Sequence, residues 1–226
     1  MTRPAVMSWS SGKDCTLALH RARQEGALDV VALLSTFNET ASRVAIHGTR
    51  RAVARAQARA LGLPLIEVDL PAPCSNADYE ARIGAASLRL KEQGVRDWIF
   101  GDLFLEDIRQ YREGNLAAQG LSGHFPLWGA DTRLLAQEML DLGLDARIAT
   151  LDPRLVPREL CGSRYDWAFL DQLPPGVDPC GERGEFHTVV ANGPGFAAPL
   201  NLRQGETVER SGFVYTDFDL LPSVRQ

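Results

Sequence analysis

The 226-residue chain has no Cys-x-x-Cys pair, no long apolar run, no internal repeat and no excess of positive charge. Its four cysteines, at positions 15, 74, 161 and 180, are too scattered for a structural zinc site. No secretory apolar segment lies between Met1 and Trp9, so the expectation is a cytoplasmic protein with reduced thiols. No stretch approaches the ~18 consecutive apolar residues that a membrane-spanning helix needs. A net charge of −5 sets the overall field against nucleic acid. Arg43 to Arg59 does carry five arginines and no acid, but helical spacing would scatter them over a solvated face. What is present, 45% hydrophobic and 23% charged residues, suits one large domain, or one domain with a smaller appendage.

A Walker A loop is also missing. Gly12-Lys13 is followed by Asp14 instead of Ser or Thr, and Met7 stands where the first glycine belongs. The stretch Val6 to Leu19 nevertheless reads as a strand, a tight turn of small residues and a helix start. Small residues let backbone N–H groups close round an anion, and the helix aims its positive end at the same spot. An ordinary strand–turn–helix without a ligand is the alternative.

Beyond that stretch, apolar runs alternate with helical patterns. Strands are expected at Ala5–Trp9, Val30–Ser35, Leu65–Leu70, Trp98–Asp102 and Ala146–Leu151. Helices are expected over Lys13–Glu25, Thr49–Leu61, Ala77–Gln93, Leu105–Gly120 and Thr132–Leu142. The alternation predicts an α/β fold, a doubly wound parallel five-stranded sheet over residues 1–152. Ligands of such sheets sit at the carboxyl ends of strands where the strand order reverses, and strand one is the natural switch strand. Asp102, closing the fourth strand, would project into that crevice. Residues 153–226 change character. Leu155–Leu170 reads as a helical connection, and short strands at Thr188–Ala191, Pro199–Leu202, Thr207–Arg210 and Phe213–Phe218 predict a small C-terminal β-containing lobe.

Ser10-Ser11-Gly12-Lys13-Asp14-Cys15 resembles the PP-loop of the adenine nucleotide alpha-hydrolase superfamily (HUP-like fold), whose pattern is Ser-Gly-Gly-x-Asp-Ser. Two departures are visible. Ser11 replaces a glycine, which is mild if its φ stays negative. Cys15 replaces a serine, a weaker donor. Further segments are similar to one branch of that superfamily, the diphthine–ammonia ligase family: Phe100 to Asp107, Phe125-Pro126-Leu127-Trp128-Gly129, and Asp178 to Thr188 with its Gly-Glu-x-Gly-Glu-Phe-His-Thr run. The resemblance spans nearly the whole stretch from Val6 to Thr188.

That resemblance implies an ATP-dependent ligase. A carboxylate attacks the α-phosphate, pyrophosphate leaves, and ammonia displaces AMP to give an amide. The carboxylate in the family is diphthine on elongation factor 2; a cell without diphthine would use another acceptor. ATP and pyrophosphate are expected on Ser10, Ser11, Gly12, Lys13, Asp14 and Cys15, with Ser35 at the end of strand two. Lys13 would supply a point charge for phosphate. Asp14 would either hold Mg²⁺ or act as a helix-start carboxylate. Asp102 and Glu106, four apart, would bind Mg²⁺ or ammonium, or form a solvated acidic helix start. Glu182 and Glu185 would bind ammonium or deprotonate it, or be exposed turn acids. Gly181 and His187 are expected at the substrate, although a β-branched neighbour gives His187 equal standing as a core histidine. His47 is either a ligand contact or a loop residue. Cys180 has no evident activating base and is read as structural. A regulatory nucleotide-binding module and a tRNA-modifying PP-loop enzyme are the competing functions; a glutamate-rich loop argues against the first, and the net charge against the second.

Overall fold

The computed structural model describes residues 2–221, so Met1 and residues 222–226 of the second region lie outside the description. The first strand, β1 (Arg3–Ser8), buries Ala5, Val6 and Met7 completely, as a strand covered on both faces must. Helix α1 (Lys13–Glu25) packs Leu17, Ala18, Leu19 and Ala22 inward and ends on Gly26 in the left-handed conformation. Then follow β2 (Leu28–Asn38), the two-residue β3 (Arg43–Val44), α2 (Arg51–Ala60) and β4 (Leu65–Leu70). Next come α3 (Asn76–Glu92), β5 (Asp97–Ile99), α4 (Glu106–Ala117) and β6 (Ser122–His124). A capping box between Ser75 and Asp78 starts α3.

Five of these strands are parallel, in the order β4-β2-β1-β5-β6, and β3 adds antiparallel to the end of β2. The chain builds outward from β1 on one side, then returns to build on the other. The switch point therefore lies between β1 and β5. One hydrophobic cluster joins α1 and α2 to one sheet face, and a second joins α3 and α4 to the other.

The fifth parallel strand is β6, not Ala146–Leu151. After α5 (Thr132–Asp141), strand β7 (Asp145–Leu151) enters a separate antiparallel sheet with β8 (Phe186–Asn192), β9 (Leu202–Arg210) and β10 (Phe213–Leu220), in the order β8-β7-β10-β9. β6 reads Ser-Gly-His and carries no apolar run, so its sequence has no strand signature; its pairing with β5 makes it one. The segment 155–170 is mostly irregular, holding one 3₁₀ turn at Arg158–Leu160 and a single helical turn, α6 (Trp167–Leu170). Pro199–Leu202 is no strand apart from its last residue, where β9 begins. The main core is continuous across both sheets: Met7, Leu17 and Ile99 share one cluster with Ile148, Phe186 and Val214. The second sheet is thereby pressed against the α1 face, and β8 lies beside the turn that precedes α1.

Candidate active site

The turn between β1 and α1 is held from behind. Ser11 stands at φ +72°, in the left-handed region, and its carbonyl accepts Val190 N–H of β8 at 3.0 Å and Gln57 Nε2 at 3.1 Å. Gln57, fully buried on α2, also donates to Val190 O at 2.7 Å and accepts the Trp9 indole N–H at 2.9 Å. One glutamine thus braces the turn and β8 together. The expectation of a mild Gly-to-Ser replacement fails on this geometry, because a non-glycine residue there costs about 1–2 kcal/mol. The Ser11 hydroxyl offsets none of that cost, being buried without a hydrogen-bond partner.

Cys15 substitutes for a hydroxyl locally. Its thiol donates to Gly12 O at 3.1 Å and accepts from Ser10 Oγ at 3.4 Å, and burial pushes it up to about 11. Gly12 caps α1 without a side-chain bond. Among the described residues, the first-turn N–H groups of Asp14 and Cys15 donate to no other residue, whereas Lys13 N–H donates to Thr188 Oγ1 at 3.0 Å. Gly101, just after β5, approaches so closely that a Cβ would stand 2.9 Å from Cys15 N. Glycine is required there for the two strand ends to flank the turn.

Lys13 does not face the turn. Its side chain is 1% exposed, and Nζ donates to Cys180 O at 2.5 Å and to both Asp14 oxygens at 2.9 Å. The rings of Tyr165 and Phe186 lie 5.5 and 5.4 Å away. Burial works against the ammonium, but Asp14, Cys180 and Asp178 outweigh it and hold the pKa above its ordinary value. The point charge expected on phosphate is spent as a link between the start of α1 and the C-terminal loop.

Two adjoining cavities open at the switch point. The larger, of about 520 Å³, runs over the carboxyl ends of β1, β2 and β5, between Leu34, Thr36, Leu70, Cys74, Trp98 and Phe100. The smaller, of about 150 Å³, lies against the turn itself, with Ser10, Asp14, Cys15, Asp102, Glu182 and His187 in its wall. Ser8, Ser10, His47, Phe100 and Arg112 border both.

The loop 178–185 builds the far wall. Asp178 N–H and Arg183 N–H donate to the Glu185 carboxylate at 3.2 and 2.8 Å, and Glu182 N–H donates to Asp178 Oδ2 at 2.9 Å. Gly181 stands at φ +70°, where a Cβ would meet Phe186 O at 2.7 Å. Glu185, expected to be catalytic, is the internal strut of the loop, 3% exposed and outside both cavity walls. Glu182 is the acid that reaches the cleft. Its carboxylate accepts Leu103 N–H at 2.7 Å, and its pKa is pushed up to about 7, first by burial and then by the nearby Asp14 and Asp102 charges.

Two other expected positions also lie off the cleft. Ser35 is buried under the turn, donating to Trp9 O at 2.5 Å. Glu106 is exposed on α4, where it accepts from Gln110 Nε2 at 3.1 Å, and it does not join Asp102. Asp102 instead receives the guanidinium of Arg112, with Nε 3.0 Å from Oδ2. Arg112 had no signal in the sequence, since it sits among several charged residues on α4. His187 does face the cleft, with its ring centroid 4.5 Å from that of His47. Burial holds His47 down to about 4 and His187 well below its ordinary value, so both are neutral imidazoles at pH 7.

Among the described residues no group of three or more acids, histidines or cysteines stands in metal-ligating geometry. Asp14 would meet Mg²⁺ as one carboxylate beside phosphate oxygens, a common arrangement for that ion. The arginine-rich segment is largely neutralised: Arg43 and Arg50 pair with Asp217, Arg51 with Glu67 and Asp69, and Arg55 with Glu67. All four cysteines are free thiols, and among the described residues no helix is long and apolar enough to cross a membrane.

The family model for the diphthamide synthase N-terminal domain matches residues 2–117, and that for the diphthamide synthase C-terminal domain matches residues 131–217. No curated protein matches the chain. With a PP-loop at the head of its parallel sheet and both domain models matched in order, the chain belongs to the diphthamide synthase family, the diphthine–ammonia ligases among PP-loop ATPases.

Proposed function

We propose that this chain is an ATP-dependent, AMP-forming carboxylate–ammonia ligase acting in the cytoplasm. The observation that carries the reading is the position of Glu182: a carboxyl poised near 7, in the wall of the same small cavity as the anion-binding turn. A nucleotide-sensing module has no use for an acid beside a phosphate.

In this reading the nucleoside occupies the larger cavity and the β,γ-phosphates lie against Ser10–Cys15. A carboxylate oxygen of the acceptor attacks the α-phosphorus, the α–β bridging bond breaks, and pyrophosphate leaves with the electron pair. The free N–H groups at the start of α1 face the charge that develops, and one such preorganised donor is typically worth about 3–4 kcal/mol. Mg²⁺, where it accompanies the phosphates, would neutralise that charge with Asp14 as a protein ligand. Lys13 acts indirectly, by holding the Asp14 carboxylate and the Cys180 carbonyl in place.

Glu182 then serves the second half-reaction. As carboxylate it binds ammonium and takes one proton, and the released ammonia attacks the acyl carbon while AMP departs. Asp102, Gly181 and His187 line the space left for the acceptor. That acceptor is diphthine on elongation factor 2 in a cell that makes it, and another carboxylate elsewhere. The test uses α-labelled ATP with ammonium and fractionated carboxylates. Labelled AMP and unlabelled pyrophosphate are expected in repeated turnover only when a carboxylate and ammonium are both present. No AMP from any fraction would reject the reading.

A further inference from the structure

We propose that Arg112 binds the α-phosphate of the nucleotide, with its guanidinium held in position by Asp102. The inference rests on the nucleotide-site reading above and assigns it a charge. Once Lys13 is turned into the protein, the cleft needs another cation. Among the described residues Arg112 is the one lysine or arginine that borders either cavity, and it borders both.

Its place is the junction between them. A nucleotide with its nucleoside in the larger cavity and its terminal phosphates in the smaller one must pass its α-phosphate through that junction. The guanidinium is already oriented there. Nε and Nη2 donate to Asp102 at 3.2 and 3.1 Å, and the Phe100 ring lies 4.7 Å from Cζ. Among the described residues Nη1 has no hydrogen-bond partner. That leaves a donor edge free, on a group whose planar fork suits phosphate. His47 at the same junction and His187 beside it are neutral and supply no competing positive charge. The Asp102 carboxylate, at 13% exposure, fixes the side chain and lowers the cost of holding an arginine beside aromatic walls before the nucleotide arrives.

The test is equilibrium binding of AMP and of adenosine to the wild type and to Arg112→Met and Arg112→Lys, followed by calorimetry. Adenosine reports the nucleoside cavity and the integrity of the fold; the AMP-to-adenosine preference reports the α-phosphate. Arg112→Met is expected to weaken AMP about 10- to 100-fold, the range for a charge-assisted hydrogen bond, and to leave adenosine unchanged. Arg112→Lys is expected to fall between. An unchanged AMP preference in Arg112→Met, or equal losses for AMP and adenosine, would overturn the assignment. A wild type that binds neither ligand would instead overturn the nucleotide site itself.

Discussion

The Glu182 carboxylate accepts the backbone N–H of Leu103 across 79 residues of sequence, at 2.7 Å. That bond ties the C-terminal loop to the segment just after β5 and aims an acid at the PP-loop. Its neighbour in the motif, Glu185, is turned inward by the same loop and holds it together.

Glu182 makes both activity and stability depend on pH. If it accepts a proton from ammonium, the rate at saturating substrates rises with pH through about 7, and Glu182→Gln removes that limb along with most of the activity. Stability moves the other way. The folded protein holds a proton up to about 7 that the unfolded chain releases near 4.5, so stability falls as pH rises between those values. The loss is roughly 3 kcal/mol across the window. Urea denaturation of wild type and Glu182→Gln at pH 5 and pH 8 measures it; parallel pH dependence in the two proteins would remove Glu182 as the cause.

Ser11→Gly is expected to stabilise the protein by about 1 kcal/mol, since glycine carries no penalty at a positive φ and the lost hydroxyl has no partner. For a chain of this size the melting temperature should rise by about 2–4 °C. Ser11→Val should lower it, because a β-branched residue suits that conformation worst. Thermal melts in which Ser11→Gly lies below the wild type would contradict the strain.

Lys13→Met removes the cation from a buried pair and leaves the Asp14 carboxylate and Cys180 carbonyl without it. Breaking such a pair costs about 3 kcal/mol or more. The double substitution Lys13→Met with Asp14→Asn should recover part of the loss. A single variant as stable as the wild type would mean that the ammonium is solvated.

Cys74 is the exposed thiol among the four, and it borders the larger cavity. Burial raises Cys15 to about 11 and Cys180 to about 12, and it also raises Cys161. A thiol reagent at pH 8 should therefore modify one site quickly in the folded protein. Saturating ATP should slow that reaction, as mapped by mass spectrometry of the labelled peptides. Equal labelling of all four sites, or no protection by ATP, would count against the buried thiols and the cavity assignment respectively.

Local chemistry along the chain was enough to determine the β1–turn–α1 unit, four of the five strands of the parallel sheet and the switch at β1. Buried-strand runs such as Val30–Ser35, small turn residues and the glycine that ends α1 act on near neighbours, so their signal lies in sequence. The motif also marked Gly181 and Glu182. Tertiary structure alone decided where the charges point. Lys13, Asp14, Glu182 and Glu185 all sit in motifs, yet one cation turns into the core, where the Cys180 carbonyl accepts its hydrogen bond, and one acid becomes a strut, because the Asp178 and Arg183 N–H groups donate to it. Arg112 enters the cleft only because α4 packs against β6 and Asp102 draws its guanidinium over Phe100. β6 is a strand only because β5 offers it an edge. Orientation and burial are set by partners distant in sequence, and spacing along the chain carries no record of them.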